Sequence, residues 1–518
     1  MSAGNRNHIL DDTVAGAVVF LVALPLCLGI ALASDVPPFA GIISGVIGGL
    51  LVTSISRSRL GVSGPAAGLA VIVAASVREL GYETFLLALV IAGVIQLVGG
   101  FLRAGIISHY FPSSVIKGLL AGIGVTLILK QIPHALGYDK SWIGEMEFIQ
   151  VHGHNTLSTL YYAVLSSTEG PVLVAAVSMV ILIAWERPRI KNNAILRSIP
   201  AALLVVVFGV AINETFKAIY PEWTISPDHC VVLPIAKSWT ELSGFFTLPD
   251  FSKQALLNPD VYVVGFTLAL VASLETLICV EATDKLDPEK RVTPANLELK
   301  AQGIGNIVCG LLGGIPVTQV IVRSAANLDA GGKTRLSSFI HGVLLLVCVL
   351  LIPTWLNQIP LACLAAILLI TGYKLARISL FVNMYRAGIW QFAPFVATIV
   401  VLVFTDMLTG ILVGLSIGLF HILLYNYKLS HLKKDLGDGK YLIRLAEHAT
   451  FLNKAAVMNA LRELPDGCHV TIDATHSLMI DPDVREVIRN FAAHAPLDGT
   501  TLEVKGIDDL DAPMPASH

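Results

Sequence analysis

Two polar stretches, broken by glycine and proline and set among apolar spans, constrain this chain more than any other feature. One is Gly313-Gly-Ile-Pro-Val-Thr-Gln-Val-Ile-Val-Arg-Ser-Ala-Ala-Asn-Leu-Asp-Ala-Gly-Gly-Lys-Thr-Arg335, too short and too polar to cross a bilayer as a single apolar helix. The other is Gly61-Val-Ser-Gly-Pro-Ala-Ala-Gly68, directly ahead of an apolar run. Irregular backbone persists at membrane depth only where protein buries it or water reaches it. Broken segments in both halves of a chain point to a ligand site at their meeting point. Two half-helices that begin near mid-membrane aim partly positive N–H groups at that point, which predicts an anion site.

The remaining composition places these stretches in a bilayer. Of 518 residues, 54% are hydrophobic and 14% charged, with a mean hydropathy of +0.72. Soluble domains carry about 25% charged residues, so the chain reads as an integral membrane protein. Apolar segments fall at 13–33, 37–53, 62–77, 84–102, 113–130, 171–185, 199–213, 261–281, 299–313, 317–327, 337–353, 359–373, 394–407 and 408–426. That makes about fourteen, two of them too short for plain spans. Residues 1–11 are polar and no small-residue processing site follows, so the first span is expected to stay. A net charge of −3 offers nothing to nucleic acid. The seven cysteines have neither metal-ligand spacing nor a C-x-x-C pair, so no resident metal or disulfide framework is expected.

Basic residues orient the spans. Arg57 and Arg59, Arg103 and Lys117, Arg187, Arg189, Lys191 and Arg197, Lys285, Lys290 and Arg291, Lys333 and Arg335, and Lys374, Arg377 and Arg386 all fall on one side. The opposite short connections at 34–38, 314–316 and 354–358 carry none. The positive-inside rule then puts both termini in the cytoplasm. Each set of seven segments has a broken third member, and an odd count per repeat forces the repeats into opposite orientation. Direct similarity between the halves is weak, so this rests on break position. The long outer connections, 131–170 and 214–258, show no chemistry. After residue 426 the pattern turns soluble. A linker is expected at 427–440, then an α/β domain at 441–508 with strands at 441–445, 468–473 and 501–504 and helices at 455–464 and 484–491, then a tail at 509–518.

Several segments resemble one family. Leu24-Pro-Leu-Cys-Leu-Gly-Ile-Ala-Leu-Ala-Ser34 resembles the first-helix signature of the SulP anion transporters. Glu298-Leu-Lys-Ala-Gln-Gly-Ile-Gly-Asn306, the Gly-Gly-x-Pro break and Arg323-Ser-x-x-Asn-x-x-Ala-Gly-Gly-Lys-Thr334 resemble its second-half signature. Ile472-Asp-Ala-Thr-His-Ser-Leu-Met-Ile-Asp-Pro-Asp483 is similar to the strand–loop–helix of a STAS domain, which that family carries after its last span. The resemblance covers residues 10–508. It implies a polytopic helical fold of fourteen spans as seven-plus-seven inverted repeats, divided into core and gate, a cytoplasmic STAS-like domain, and a homodimer.

On this reading the two half-helix N-termini, around Pro65, Ala66 and Ala67 and around Thr318, Gln319, Val320 and Ile321, hold the anion through backbone N–H groups, Pro65 itself having none to give. Arg323, one turn into the second half-helix, adds charge behind the site; its bland alternative is a cytoplasmic-end anchor. Glu275 lies in mid-span, where a central carboxylate costs at least about 2.5–3.5 kcal/mol, so a functional role is expected; the alternative is a protonated or paired structural Glu. The resemblance makes it the residue that couples a cation or proton. Four positions on, sodium-coupled relatives have a hydroxyl where this chain has Cys279, and a thiol is a poor ligand for a hard cation. Sodium near Glu275 and a proton therefore both stay open. Asp406 reads as a helix cap, Lys130 and His341 as interfacial, and His476 and Ser477 as a solvated loop. Gly331-Gly-Lys-Thr334 lacks the preceding glycine of a P-loop, and no catalytic set appears, so the expectation is secondary transport and not an enzyme.

The expected substrate is bicarbonate, because the STAS-like segment resembles members associated with carbonic anhydrases, which such an enzyme would then partner. Sulfate and C4-dicarboxylates follow. A nucleobase permease of the same architecture and a membrane-tethered scaffold that transports nothing are the rivals from other classes. The expected location is the bacterial inner membrane.

Overall fold

A computed structural model describes residues 3–140, 148–149, 155–187, 200–235, 238–428 and 431–507. Arg189, Lys191, Arg197 and the tail at 509–518 lie outside them. The chain forms two compact units, residues 1–415 and 416–518.

The first unit is helical because its sequence is a succession of long apolar runs. α1 is Ala3–Ala33, α2 Pro38–Ile47, α3 Ala70–Leu80, α4 Tyr82–Phe101 and α5 Ser113–Ala135. α6 (Thr156–Leu165), α7 (Glu169–Trp185) and α8 (Ala201–Ile219) complete the first half. In the second half, α9 runs over Pro259–Leu286, α10 over Ala295–Leu312, α11 over Ile321–Asp329, α12 over Leu336–Leu351 and α13 over Leu361–Leu375. α14 (Ile378–Arg386), α15 (Ile389–Phe404) and α16 (Met407–Lys428) follow, α16 running on past residue 415 into the second unit. Among the described residues seven helical stretches are long and apolar enough to cross a bilayer, and α6 with α7 forms an eighth bent by 108°. The expected fourteen is reached only by adding shorter helices such as α12 and α15 and the two broken segments.

Those segments are not simple half-helices. Ser63–Pro65 is a short strand, β1, and Val317–Gln319 a second, β2, joined antiparallel with Ser63 opposite Gln319 and Pro65 opposite Val317. Each strand leads into a half-helix, α3 through one 3-10 turn at Ala67–Leu69 and α11 directly. Two strand-plus-helix units paired antiparallel run in opposite directions, as inverted repeats require. Three of the basic loops meet: Arg57, Arg59 and Arg291 line one small pocket, and Arg291 Nη1 donates to the Lys333 carbonyl over 2.9 Å.

His341 and Lys130, expected as interfacial, are packed within the protein at 0% and 6% exposure. His341 lies on the inward stripe of α12 with Ser337, Ser338 and Leu345, and position along a span does not reveal which face turns inward. The outer connections also carry structure. α6 starts from a capping box at Asn155 and Ser158, and Asp139 bridges His134 and His229.

In the second unit β3 (His431–Gly437) lies antiparallel to β4 (Lys440–Leu445), and β5 (His469–Asp473) and β6 (Thr501–Lys505) add parallel strands beyond β4. α17 (Lys454–Arg462) and α18 (Pro482–His494) supply the crossovers. Residues 427–440, expected as linker, hold the end of α16 and β3. The segment His431–Gly437 has no apolar alternation, so nothing there signals a strand.

Candidate functional site

Both half-helices begin without a side-chain cap. The residues preceding their first turns are Ala66 and Val320, extended at φ −90° and −110°, with no side-chain hydrogen bond to the turn that follows. A buried helix start left uncapped needs another partner for its first N–H groups. Strand pairing takes two donors that sequence reasoning had assigned to the anion. Ala66 N–H donates to the Pro316 carbonyl over 3.1 Å, and Val320 N–H to the Val62 carbonyl over 2.9 Å. The donors that helix geometry leaves are one step further on, at Ala67 and Gly68 and at Ile321, Val322 and Arg323.

α9 brings a carboxyl and a thiol to these two starts. Glu275 and Cys279 sit one turn apart, both buried. The Glu275 carboxyl faces the Gly68 N–H, and the Cys279 thiol faces that of Ile321. Glu275 Oε2 has no hydrogen-bond partner. Together with Ala67, Val320 and Val322 these groups line a cavity of about 60 Å³. That volume holds a small ion or a few waters, not a nucleobase with room to turn. The opposite wall comes from Ile123 and Thr126 on α5, Leu402 on α15, and Asp406 and Met407.

Asp406 is the cap that was expected. Its Oδ1 accepts from Thr409 N–H over 2.9 Å and its Oδ2 from the Thr409 hydroxyl over 2.6 Å, opening α16. It also borders the cavity. Thr126 was missed: it is 3% exposed, its hydroxyl has no partner, and it belongs to the wall. A single threonine in an apolar span gives no periodic signal that could have found it.

Arg323 is fully buried and none of its guanidinium nitrogens has a hydrogen-bond partner. It does not border the cavity. It lies behind β1, so close to Gly64 that a Cβ there would fall 2.1 Å from Nη1. Pro65, Ala66, Thr318 and Gln319 also stay behind the cavity wall, forming the two-stranded element that holds it. A larger cavity of about 420 Å³ beside Val14, Asp329 and Lys374 touches neither Glu275 nor the half-helix starts, so it is not this site.

Two uncapped half-helices, cross-linked by a strand pair and facing a buried carboxyl inside a polytopic helical unit, define a broken-helix transporter. The sulfate permease family model matches residues 9–403. The chain belongs to that family of anion transporters. Among relatives, it is 27% identical over 421 residues to YvdB of Bacillus subtilis, named as a candidate sulfate transporter, covering 80% of this chain and 73% of that one. It is 27% identical over 380 residues to the bicarbonate transporter BicA of Picosynechococcus sp., covering 71% and 62%. It is 25% identical over 528 residues to the sodium-independent sulfate anion transporter of Bos taurus, covering 96% and 83%. In fold it resembles SLC26A9, with a TM-score of 0.67 at 15% identity over 96% of this chain and 84% of that one. It also resembles the transmembrane domain of cyanobacterial BicA, with a TM-score of 0.55 at 24% identity over 78% and 96%.

Proposed function

We propose that this protein carries a small inorganic anion, bicarbonate first, across the inner membrane by elevator-type alternating access coupled to Na+ or H+. The observation that carries this reading is the convergence of two uncapped helix starts on one small cavity. Their N–H groups replace the hydration shell of the anion. Arg323 contributes charge through the strand pair. A buried cation without a partner is costly, and an anion in the cavity offsets that cost.

Glu275, beside the same N–H groups, is the coupling residue: sodium or a proton on its carboxyl removes a negative charge from the anion's neighbourhood. The half-helices and α9 form one wall and α5, α15 and Asp406 the other, so sliding of one set against the other moves the site bodily. Bicarbonate is supported by the BicA relatives and by the STAS-like segment; sulfate, the second reading, is supported by the names of YvdB and the bovine relative. Both termini are cytoplasmic and the protein is a homodimer on this reading; a carbonic anhydrase is the partner that fits bicarbonate.

Uptake of radiolabelled bicarbonate, sulfate, succinate and uracil into proteoliposomes, under a sodium gradient and a pH gradient imposed separately, tests this. Bicarbonate accumulates under one gradient, and Glu275→Gln abolishes accumulation. Ala67→Phe, which fills the cavity, abolishes uptake in a folded protein. Accumulation by Glu275→Gln equal to wild type would make Glu275 structural. Uracil uptake alone would return the permease reading.

A further inference from the structure

The strand pair that carries the anion site has a support on its far side. Helix α10 packs on α4 so closely that a Cβ on Gly303 would come within 2.7 Å of the Gly93 carbonyl. That contact fixes α10 as a rigid strut. Along one face of it stand Glu298, Gln302 and Asn306, spaced by four residues and 1%, 0% and 1% exposed. Three polar side chains in a row inside a membrane helix need partners.

Each finds one on the broken segments or just ahead of them. Asn306 grips β2 at two points: its Oδ1 accepts from Val317 N–H over 2.6 Å, and its Nδ2 donates to the Val317 carbonyl over 3.0 Å. Its amide thus stands where a third strand would pair. The same Nδ2 donates to Gln96 Oε1 on α4 over 2.6 Å. Gln302 Nε2 donates to the Ser63 hydroxyl on β1 and to Glu298 Oε1, both over 2.8 Å. Glu298 Oε2 accepts from the Ser56 hydroxyl, ahead of the first break. One helix face therefore holds β1, β2 and the approach to β1.

We propose that Gln302 and Asn306 are positioning residues for anion binding, setting the strand pair so that both half-helix starts aim at the same point. This rests on the site assigned above. Neither side chain borders the cavity, so each acts through the backbone it holds. A displacement of about 1 Å in such a constellation lowers function by about a hundredfold.

The test uses the full-length protein in proteoliposomes, with the concentration dependence of radiolabelled bicarbonate and sulfate uptake measured for Gln302→Met, Ser63→Ala, their double variant, Asn306→Asp and Ala67→Phe. Gln302→Met and Ser63→Ala raise the half-saturating concentration by roughly tenfold or more while the maximal rate is retained. The double variant falls no further than Gln302→Met, because both changes break one hydrogen bond. Asn306→Asp, which keeps the acceptor and loses the donor, shifts the same parameter. A lowered melting temperature with unchanged half-saturation in all three single variants, alongside inactive Ala67→Phe, overturns the positioning role and leaves the site standing. Wild-type uptake by Ala67→Phe moves the anion elsewhere and overturns both.

Discussion

Gly64 shows how little freedom the site leaves to single residues. Its missing side chain is the space that the Arg323 guanidinium occupies. Gly64→Ala must displace that charge or bend β1, which costs about 1–3 kcal/mol as overpacking. Anion affinity should fall with it, toward that of Arg323→Ala, while Arg323→Lys, keeping a point charge, stands between alanine and wild type. Isothermal titration with bicarbonate and sulfate checks the order, and equal affinity in all four proteins would return Arg323 to an anchoring role. Thr126 tests the opposite wall. Thr126→Val keeps the shape and removes the only hydroxyl of that wall with a free donor, so affinity should drop roughly 10- to 100-fold if it meets a charged ligand. An unchanged uptake curve would make it a spectator. The sequence singles out Glu275, Cys279, Ala67, Val320 and Ile321, because a carboxyl and two breaks stand out against apolar spans, and the structure brings these five to one cavity. The donors at Ala66 and Val320 were misassigned, since nothing in a single sequence shows that two breaks pair as strands.

At the scale of elements, β1 and β2 are three residues each, below the length at which alternation can be recognised. Helices α9 and α16 were legible, the latter down to its Asp406 cap, because long apolar runs and caps are local signals. The bridge from Asp139 to His134 and His229 was not, because its partners come from two separate connections. Burial pushes the Asp139 carboxyl upward, but hydrogen bonds from both histidines outweigh it and hold the group below the usual carboxylate range. The 2.5 Å bond to Asp139, against the effect of burial, holds His229 above the ordinary imidazole range. The carboxyl contributes stability above its ordinary value of about 3.9 and loses it as pH falls through the lowered one. The imidazole contributes fully below about 6.5 and loses that as pH rises through its raised value. The bridge is therefore strongest between about pH 4 and 6.5. Melting curves of wild type and His229→Ala should differ most in that window and converge as pH rises through the raised imidazole value; a pH-independent gap would show that packing alone is lost.

At the scale of the whole molecule, the second unit has a core of its own, with Ile443, Val457, Val470, Ile472, Val484 and Ile488 all at 0% exposure. Truncation after residue 430 keeps α16 entire and removes residues 431–518, which hold that core. The shortened protein should elute as a single species in detergent and still take up anion, with dimerisation or regulation changed. Complete aggregation would make the second unit part of membrane-domain folding. A change of composition after residue 426 is visible in the sequence, whereas β3 was hidden because His431–Gly437 has no apolar alternation.

The antiparallel pairing of Ser63–Pro65 with Val317–Gln319 also has a consequence for biogenesis. Each strand comes from a different half of the polypeptide, and closing so long a loop is slow relative to local helix formation. While the ribosome is still making the second half, the first already holds an open strand edge and an uncapped helix start inside the membrane. Neither can be satisfied by lipid. The strand pair thus cannot close before Val317 is made, and until then the nascent first half depends on insertion machinery or water to shelter it.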